Sequence, residues 1–180
     1  MRYLLFFLIP TIVLLTASQR LDFGKKKSGH DWQVIGDSAV GGFSKGELTL
    51  GKNTLVFKGT ISTEGSGGFC SVRSDYKQLD LTNYEKLVIR FRATGPSFAL
   101  MLEPSKSFYS PYFKHTLVST SKDWQVLELN LADFTGHQMG KPMGRGLKKQ
   151  ELETMMRIGF INARKDAGPF KLEVDYLEFR

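Results

Sequence analysis

The sequence predicts an all-β protein, an antiparallel jelly-roll β-sandwich with one short helix. Apolar residues alternate with polar ones over short segments, and glycine-rich turns separate these segments. Helical periodicity is confined to one short stretch, whereas an α/β protein needs helices between its strands. Eight or so strands in two packed sheets are therefore expected.

The clearest strand is predicted at residues 87–93, LVIRFRA, where apolar and polar side chains alternate. Gly95-Pro96 interrupts the alternation, which resumes over residues 98–102, so these two strands are expected to form a hairpin. A second hairpin is expected around a turn at residues 51–53. The same alternation predicts further strands at residues 47–50, 55–57, 113–118, 124–131 and 170–179.

In the final strand, residues 170–179, four apolar residues ending with Tyr176 alternate with charged ones and are expected to face the core. The only departure from the β pattern is at residues 146–156. Three apolar residues there are spaced i, i+3 and i+4, which predicts one short helix.

Two glycine-rich segments, residues 31–44 and 65–73, are predicted to be loops where the backbone bends tightly or approaches another backbone. Asp37 and Arg73 are expected to converge there and pair, because buried charges usually persist by being paired. The pair would hold the two turns together. In the alternative interpretation, both residues line a ligand site.

Composition sets further limits. A chain of 180 residues fits one domain, and its net charge of +7 is spread along the chain, so no nucleic-acid-binding stripe is indicated. Cys70 is the only cysteine, which excludes an internal disulfide and a thiolate metal cluster. The three histidines lack the spacing typical of zinc sites. No cofactor and no metal-binding residues are therefore predicted, although the scattered acidic residues are compatible with a calcium ion without specifying one.

Residues 1–18 have the features of a secretory signal peptide, because Arg2 precedes an apolar run that ends in small residues. The run is shorter than the about 20 residues of a transmembrane helix. Export, to the periplasm or outside the cell, is favoured over an uncleaved anchor that contacts the membrane. Residues 19–30 carry a lysine triplet without apolar periodicity and are expected to be a flexible lead-in. Residues 31–180 then form the single β-sandwich domain.

Residues 42–46 match G-x-S-x-G, a pattern that surrounds the nucleophile of many serine hydrolases. It would make Ser44 the nucleophile and His137 its base. The pattern requires a helix after the serine, and here the following residues alternate as a strand. Residues 65–68 likewise lack the third glycine and the helix of a dinucleotide-binding loop. No catalytic residue is predicted.

Residues 107–115, SFYSPYFKH, are the candidate segment for contact with an external partner. Aromatic rings that flank a proline turn can present flat faces to a sugar or to an apolar protein patch. In the alternative interpretation, Phe108, Tyr109, Tyr112 and Phe113 bracket a hairpin, with two of them in the core. The sequence leaves both interpretations open.

Several short motifs also follow one another in a characteristic order. They are Trp32, Val34, Asp37, Gly41-Gly42, Ser44, Phe57-x-Gly59, Ser62, Gly67-Gly68-Phe69 and Arg73, followed by Trp124, Asp133-Phe134, Arg145-Gly146, Ile158-Gly159-Phe160 and Asp166-x-Gly168-Pro169-Phe170-x-Leu172-Glu173-Val174. Their combination, from residue 31 to the carboxyl terminus, resembles the complex I intermediate-associated protein 30 family. The resemblance implies a galactose-binding-like β-sandwich and a chaperone-like assembly factor without catalytic residues. The secretory leader departs from what the mitochondrial members of that family imply.

The resemblance favours a non-enzymatic interaction or assembly module whose partner is a protein, such as an intermediate of a membrane complex. The leader and the aromatic segment favour a second hypothesis, an exported carbohydrate-binding module. A small serine hydrolase is the remote third. Candidate binding residues are Trp32, Asp37, Arg73, Phe108, Tyr109, Tyr112 and Arg145.

Overall fold

Two antiparallel β-sheets pack face to face in the computed structural model, which describes residues 18–119 and 121–180. Together with one five-residue α-helix, they confirm the predicted all-β sandwich. The strands are β1 (Gln19–Asp22), β2 (Gln33–Gly36), β3 (Lys45–Leu50), β4 (Leu55–Ile61), β5 (Cys70–Arg73), β6 (Lys86–Thr94), β7 (Phe98–Glu103), β8 (Tyr112–Leu117), β9 (Gln125–Asn130), β10 (Thr135–Gln138), β11 (Lys141–Gly146), β12 (Arg157–Asn162) and β13 (Gly168–Phe179), and the helix is α1 (Lys149–Glu153).

The first sheet has six strands, in the order β3-β4-β13-β6-β9, with β1 beside β13 where β4 ends. The second sheet has seven strands, in the order β11-β10-β8-β7-β12-β5-β2. β13 organises the first sheet because it pairs with β1, β4 and β6. Most neighbouring strands are distant in sequence, as expected of a jelly roll.

The core between the sheets is filled mainly by phenylalanine and leucine. The ring centroid of Phe57, in the first sheet, lies 5.9 Å from that of Phe98 in the second and 4.8 Å from that of Phe170. Each ring lies at a core-facing position of its own strand, where core-facing and outward-facing positions alternate. Burial of one face of each strand therefore explains the alternation seen in the sequence.

The described residues contain thirteen strands, more than the eight or so expected. β2 lies within the segment 31–44, which was expected to be a loop, and a single 3-10 turn follows it. Strands of four residues, or strands containing glycine, give too few alternating positions to be recognised. β5 likewise lies at the end of the second glycine-rich segment, and β1, β10, β11 and β12 also have no corresponding prediction.

The predicted hairpin of residues 87–93 and 98–102 is wrong, because its strands belong to different sheets. β6 pairs with β9 and β13, whereas β7 pairs with β8 and β12. The chain crosses between the sheets at Gly95, where φ is 88° and a Cβ atom would lie 2.2 Å from the carbonyl oxygen of Pro169. Alternation shows which face of a strand is buried but not which strand lies beside it. The hairpin of β3 and β4 is confirmed.

A β-bulge in β13 overturns the expected inward position of Tyr176. The pairing with β6 shifts between Val174 and Tyr176, which changes the phase of the alternation. Leu177 and Phe179 therefore face the core, while Tyr176 is half-buried beneath the guanidinium of Arg20, 3.7 Å from the ring centroid.

The prediction that residues 19–30 form a flexible lead-in is also wrong. β1 pairs with the end of β13, and the fully buried Phe23 packs edge-on against Trp32 at 5.1 Å. The sequence signal was weak because β1 has four residues at a sheet edge, and Leu21 is its only apolar one.

The predicted signal peptide or anchor falls on residues 1–18, of which residues 1–17 lie outside the described residues. Among the residues that are described, no helix has the length and apolar character needed to span a membrane.

Candidate functional site

Asp37 follows β2 and is fully buried. One carboxylate oxygen accepts a hydrogen bond from the Ser44 amide at 3.0 Å, and the other accepts from the Ser44 hydroxyl at 2.7 Å. The amides of Gly68 and Phe69, in the second glycine-rich segment, donate to this second oxygen at 2.7 and 3.1 Å. Asp37 therefore fastens the two segments together.

Close packing against Asp37 requires glycine at two neighbouring positions. A Cβ atom on Gly42 or Gly67 would lie 2.2 Å from the Asp37 carboxylate group, so the backbone reaches this charge only without side chains. Burial by itself raises the pKa of Asp37. The hydrogen bonds from Ser44, Gly68 and Phe69 together lower it by more, so the pKa lies below its ordinary value.

The predicted pairing of Asp37 with Arg73 is wrong. Arg73 instead forms a salt bridge with Glu103, at 2.9 Å. The hydrolase hypothesis also lacks its geometry, because Ser44 donates to Asp37 and lies immediately before β3 rather than between a strand and a helix. His137, the expected base, stacks on Tyr112 in the other sheet.

Arg73 and His137 both belong to the solvent side of the seven-stranded sheet. Phe160 of β12 points into the core, so the preceding Gly159 points the other way. Gly159 pairs with Arg73 on one side and Met101 on the other, and Met101 pairs with Lys114. We call this surface the outer face, formed by Arg73, Met101, Glu103, Tyr112, Lys114, His137 and Arg157.

Charged groups lie at the centre of the outer face. Arg73 donates to Glu103 at 2.9 Å and, through Nε, to the Ser71 hydroxyl at 2.9 Å. Its side chain crosses Gly159, where a Cβ atom would lie 2.9 Å from the Arg73 Cγ. Glycine at this position therefore lets the arginine lie across the sheet to reach its carboxylate.

A second arginine, Arg157, approaches the same carboxylate. It is 3% exposed, and its Nη1 lies 4.0 Å from Glu103. Its Nε donates to the Ser74 carbonyl at 2.7 Å, and its Nη1 donates to the Tyr76 hydroxyl at 3.0 Å. The guanidinium also lies 4.4 Å from the Tyr76 ring centroid, a cation–π contact. Two cations thus share Glu103.

Tyr112, Lys114 and His137 form the other half of the outer face. The Tyr112 and His137 rings stack with their centroids 5.7 Å apart and their planes 22° apart. Burial raises the pKa of Tyr112 and lowers that of Lys114. Burial also lowers the pKa of His137, an effect that the charge of Lys114 reinforces. Neutral histidine and neutral tyrosine can both donate and accept hydrogen bonds at this surface.

The aromatic segment 107–115 begins in the loop between β7 and β8, next to the outer face, and continues into β8. Phe108 and Tyr109 are 74% and 71% exposed, whereas Phe113 is fully buried and Tyr112 belongs to the outer face. The alternative interpretation placed two of these four rings in the core, and only Phe113 lies there. Phe108 and Tyr109 are thus available for contact with a partner.

Two other candidates have structural partners. Trp32 is 7% exposed and stacks on Phe160 at 5.6 Å, so it packs the core. Arg145 donates to both carboxylate oxygens of Glu151, at 3.0 and 2.6 Å, and its guanidinium lies 5.1 Å from the Phe113 ring centroid. It therefore joins β11 to α1.

Sequence reasoning missed four titratable members of the outer face, because each lies on a strand that was read for its apolar residues or not recognised at all. They could have been recognised as charged or titratable residues at the outward-facing, alternate positions of neighbouring strands. They are Glu103, Lys114, Arg157 and, as a binding residue, His137.

The six-stranded sheet carries two shallow depressions of about 250 and 370 Å³. Arg92, Lys122 and Lys171 surround Glu173 in the first depression, and Lys45 and Lys58 lie beside Glu47 in the second. Lys171 and Lys58 are 45% and 50% exposed, whereas Glu103 and Arg157 of the outer face are buried. The outer face is the stronger candidate because packing holds its charged groups in place. Within residues 18–119 and 121–180, no group of three or more His, Cys, Asp or Glu side chains is placed to hold a metal ion.

Comparison with solved structures supports the fold. A family 11 carbohydrate-binding module of a Clostridium thermocellum cellulase superposes with a TM-score of 0.66 at 14% identity, covering 91% of this chain and 94% of the module. The same type of module in complex with a mixed-linked tetrasaccharide gives a TM-score of 0.62 at 16% identity, covering 89% and 94%. A family 29 module gives 0.53 at 11% identity, covering 91% of both chains. Identities this low establish the fold alone.

Comparison with known sequences identifies relatives. A Caenorhabditis briggsae protein described as a probable mitochondrial complex I intermediate-associated protein 30 is 27% identical, covering 89% of this chain and 51% of the relative. The Mus musculus mitochondrial protein of that name is 24% identical, covering 94% and 58%. The chain thus spans between half and three-fifths of these relatives. The family's sequence model, described as complex I intermediate-associated protein 30, matches residues 21–174. This match confirms the resemblance seen in the motifs, and the chain belongs to the complex I intermediate-associated protein 30 family.

Proposed function

We propose that this chain is a non-catalytic, chaperone-like interaction module that holds an intermediate of a membrane protein complex. Two relatives are named for association with intermediates of complex I, which supports a protein partner of this kind. The observation that carries the proposal is the outer face, where Arg73, Glu103 and Arg157 form a preorganised polar surface beside exposed aromatic rings. Arginine, methionine and aromatic residues are enriched at protein interfaces.

The apolar segment at residues 1–18 supports an exported location, with the domain secreted or held at a membrane. Such a location brings the outer face to membrane complexes outside the cytoplasm. Sequencing the amino terminus of the chain purified from its native source tests this part of the proposal. A terminus near residue 19 supports cleavage, an intact terminus in the membrane fraction supports an anchor, and an intact soluble chain contradicts export.

Affinity capture from detergent-solubilised native membranes tests the main proposal. The full chain is expected to recover the subunits of one membrane complex, and the double substitution Phe108→Ala and Tyr109→Ala is expected to reduce recovery about tenfold. Phe43→Ala is the matched control, because Phe43 is an exposed aromatic residue, at 63%, away from the outer face. Recovery of no membrane protein contradicts the proposal.

Carbohydrate binding is the second candidate, favoured by the Tyr112–His137 stack and by the exposed rings of Phe108 and Tyr109. The fold is also that of a module solved in complex with a mixed-linked tetrasaccharide. A glycan array probed with the full chain tests this candidate. Binding that is lost in Tyr109→Ala and Tyr112→Ala, but retained in Phe43→Ala, supports it, and an array without signal contradicts it.

A further inference from the structure

We propose that the outer face takes an acidic peptide segment of the protein partner, with Lys114 as the cation that pairs with a partner carboxylate. The inference rests on the proposed function and specifies the chemistry of the partner. It follows from the balance of charge on the outer face, from the surroundings of Lys114 and from the apolar groups nearby.

Positive charge exceeds negative charge on the outer face. Three cations, Arg73, Lys114 and Arg157, lie on it with one carboxylate, Glu103. Glu103 is already used by the two arginines, at 2.9 and 4.0 Å. Two positive charges are therefore in excess, one shared by the two arginines and one on Lys114, and a negatively charged group that docks beside Lys114 would reduce this excess.

Lys114 is half-buried and has no counter-ion within the part of the chain that the structure describes. Its ammonium donates to the carbonyl of Ala163 at 3.4 Å, a long hydrogen bond. Among residues 18–119 and 121–180, no carboxylate forms a salt bridge with it. Burial lowers its pKa, and no nearby acid offsets this effect. A half-buried ammonium without a counter-ion is costly, and a carboxylate ligand would remove that cost.

Apolar groups on the same surface favour a peptide over an acidic sugar. Ile161, an outward position on β12, is half-buried, whereas Met101, which pairs with Lys114, is 1% exposed and lies within the outer face. Phe108 and Tyr109 add exposed rings at the margin. A cation beside isoleucine and exposed aromatic residues matches a segment that carries both acidic and apolar side chains.

Met101 also provides the reporter for a direct test. The full chain, labelled with 13C at its methionine methyl groups and kept in a non-ionic detergent, is titrated with a hexaglutamate peptide. The Met101 methyl resonance, assigned with Met101→Leu, is expected to shift, while that of Met155, fully buried in the core, stays in place. Raising the salt concentration is expected to weaken binding, because the attraction is electrostatic.

Lys114→Gln is expected to weaken hexaglutamate binding about tenfold, since it removes one half-buried charge pair. Lys58→Gln is the matched control, because it makes the same charge change on a strand of the other sheet and should leave binding unchanged. Lys114→Arg should restore most of the affinity. If Lys114→Gln does not fold, Lys114→Met, which keeps the aliphatic stem, replaces it.

Three results would overturn the inference: no shift of Met101 with hexaglutamate, equal weakening by Lys58→Gln and Lys114→Gln, or tighter binding of tetragalacturonate than of hexaglutamate. The last result would identify an acidic sugar instead. The inference can fail while the proposed function holds. If membrane capture succeeds and Lys114→Gln recovers the partner as well as the unsubstituted chain does, the module binds a protein but does not recognise an acidic segment through Lys114.

Discussion

The carboxylate of Asp37 is a buried charge held by backbone amides and a hydroxyl group. Four hydrogen bonds from three residues satisfy it, and they join segments that lie about thirty residues apart in the chain. Such bonds are shorter and stronger than those between neutral groups. The fastening of the two segments therefore depends on this one side chain.

Asp37→Asn is expected to lower the free energy of unfolding by about 3 kcal/mol, because an amide nitrogen would face the donors of Ser44, Gly68 and Phe69. Denaturant titration measures this loss. Asp31→Asn, at an exposed position six residues earlier, is the control and should change stability by less than about 0.5 kcal/mol. Equal effects of the two substitutions would contradict the role of Asp37.

The same residue predicts a dependence on pH. The pKa of Asp37 in the folded state lies below its ordinary value of 3.8, so its contribution to stability is complete above that value. The contribution is lost as the pH falls through the folded-state pKa. The stability difference between the unsubstituted chain and Asp37→Asn should therefore be constant near pH 7 and shrink below about pH 4. Titrations at several pH values measure it.

Cys70 is fully buried at the start of β5, and burial, assisted by the charge of Asp37, raises the pKa of its thiol to about 11. The thiolate is the reactive form. We expect Cys70 to react with a disulfide reagent at pH 8 only after unfolding in guanidinium chloride. Rapid labelling of the folded chain would show that the segment around Cys70 opens.

At the scale of elements, β1 and the loop after it belong to the sandwich. β1 closes the free side of β13, and Phe23 fills the core beside Trp32. A segment with three consecutive lysines thus contributes a strand and a core residue. A polar composition does not prevent a short edge strand from forming, because strand pairing uses the backbone.

Phe23→Ala is expected to destabilise the domain by about 3–5 kcal/mol, the usual cost of deleting a buried phenylalanine side chain. Phe43→Ala makes the same change at a residue that is 63% exposed and should have little effect. Thermal or denaturant unfolding measures both. If Phe23→Ala is as stable as the control, residues 19–30 are a lead-in after all.

At the scale of the whole molecule, the first and last strands of the described chain are partners in one sheet, with Gln19 opposite Phe179. Pairings this distant in sequence require large loops to close before contacts form. The sandwich should therefore fold in milliseconds to seconds, rather than in the microseconds typical of helical bundles. Stopped-flow fluorescence of Trp32 and Trp124 measures the rate, and submillisecond folding would contradict this expectation.

The sequence alone determined the fold class, the β3–β4 hairpin, the short helix and the family, because alternation, glycine turns and motif order are local properties. It also identified Asp37 and Arg73 as charged residues with a structural or binding role at the glycine-rich segments. Only the tertiary structure decided their partners, placed β6 and β7 in different sheets and assembled the outer face from five strands. Alternation records that a side chain faces away from the core but not which strand lies beside it. A surface formed across neighbouring strands is therefore visible only after the sheet has been assembled.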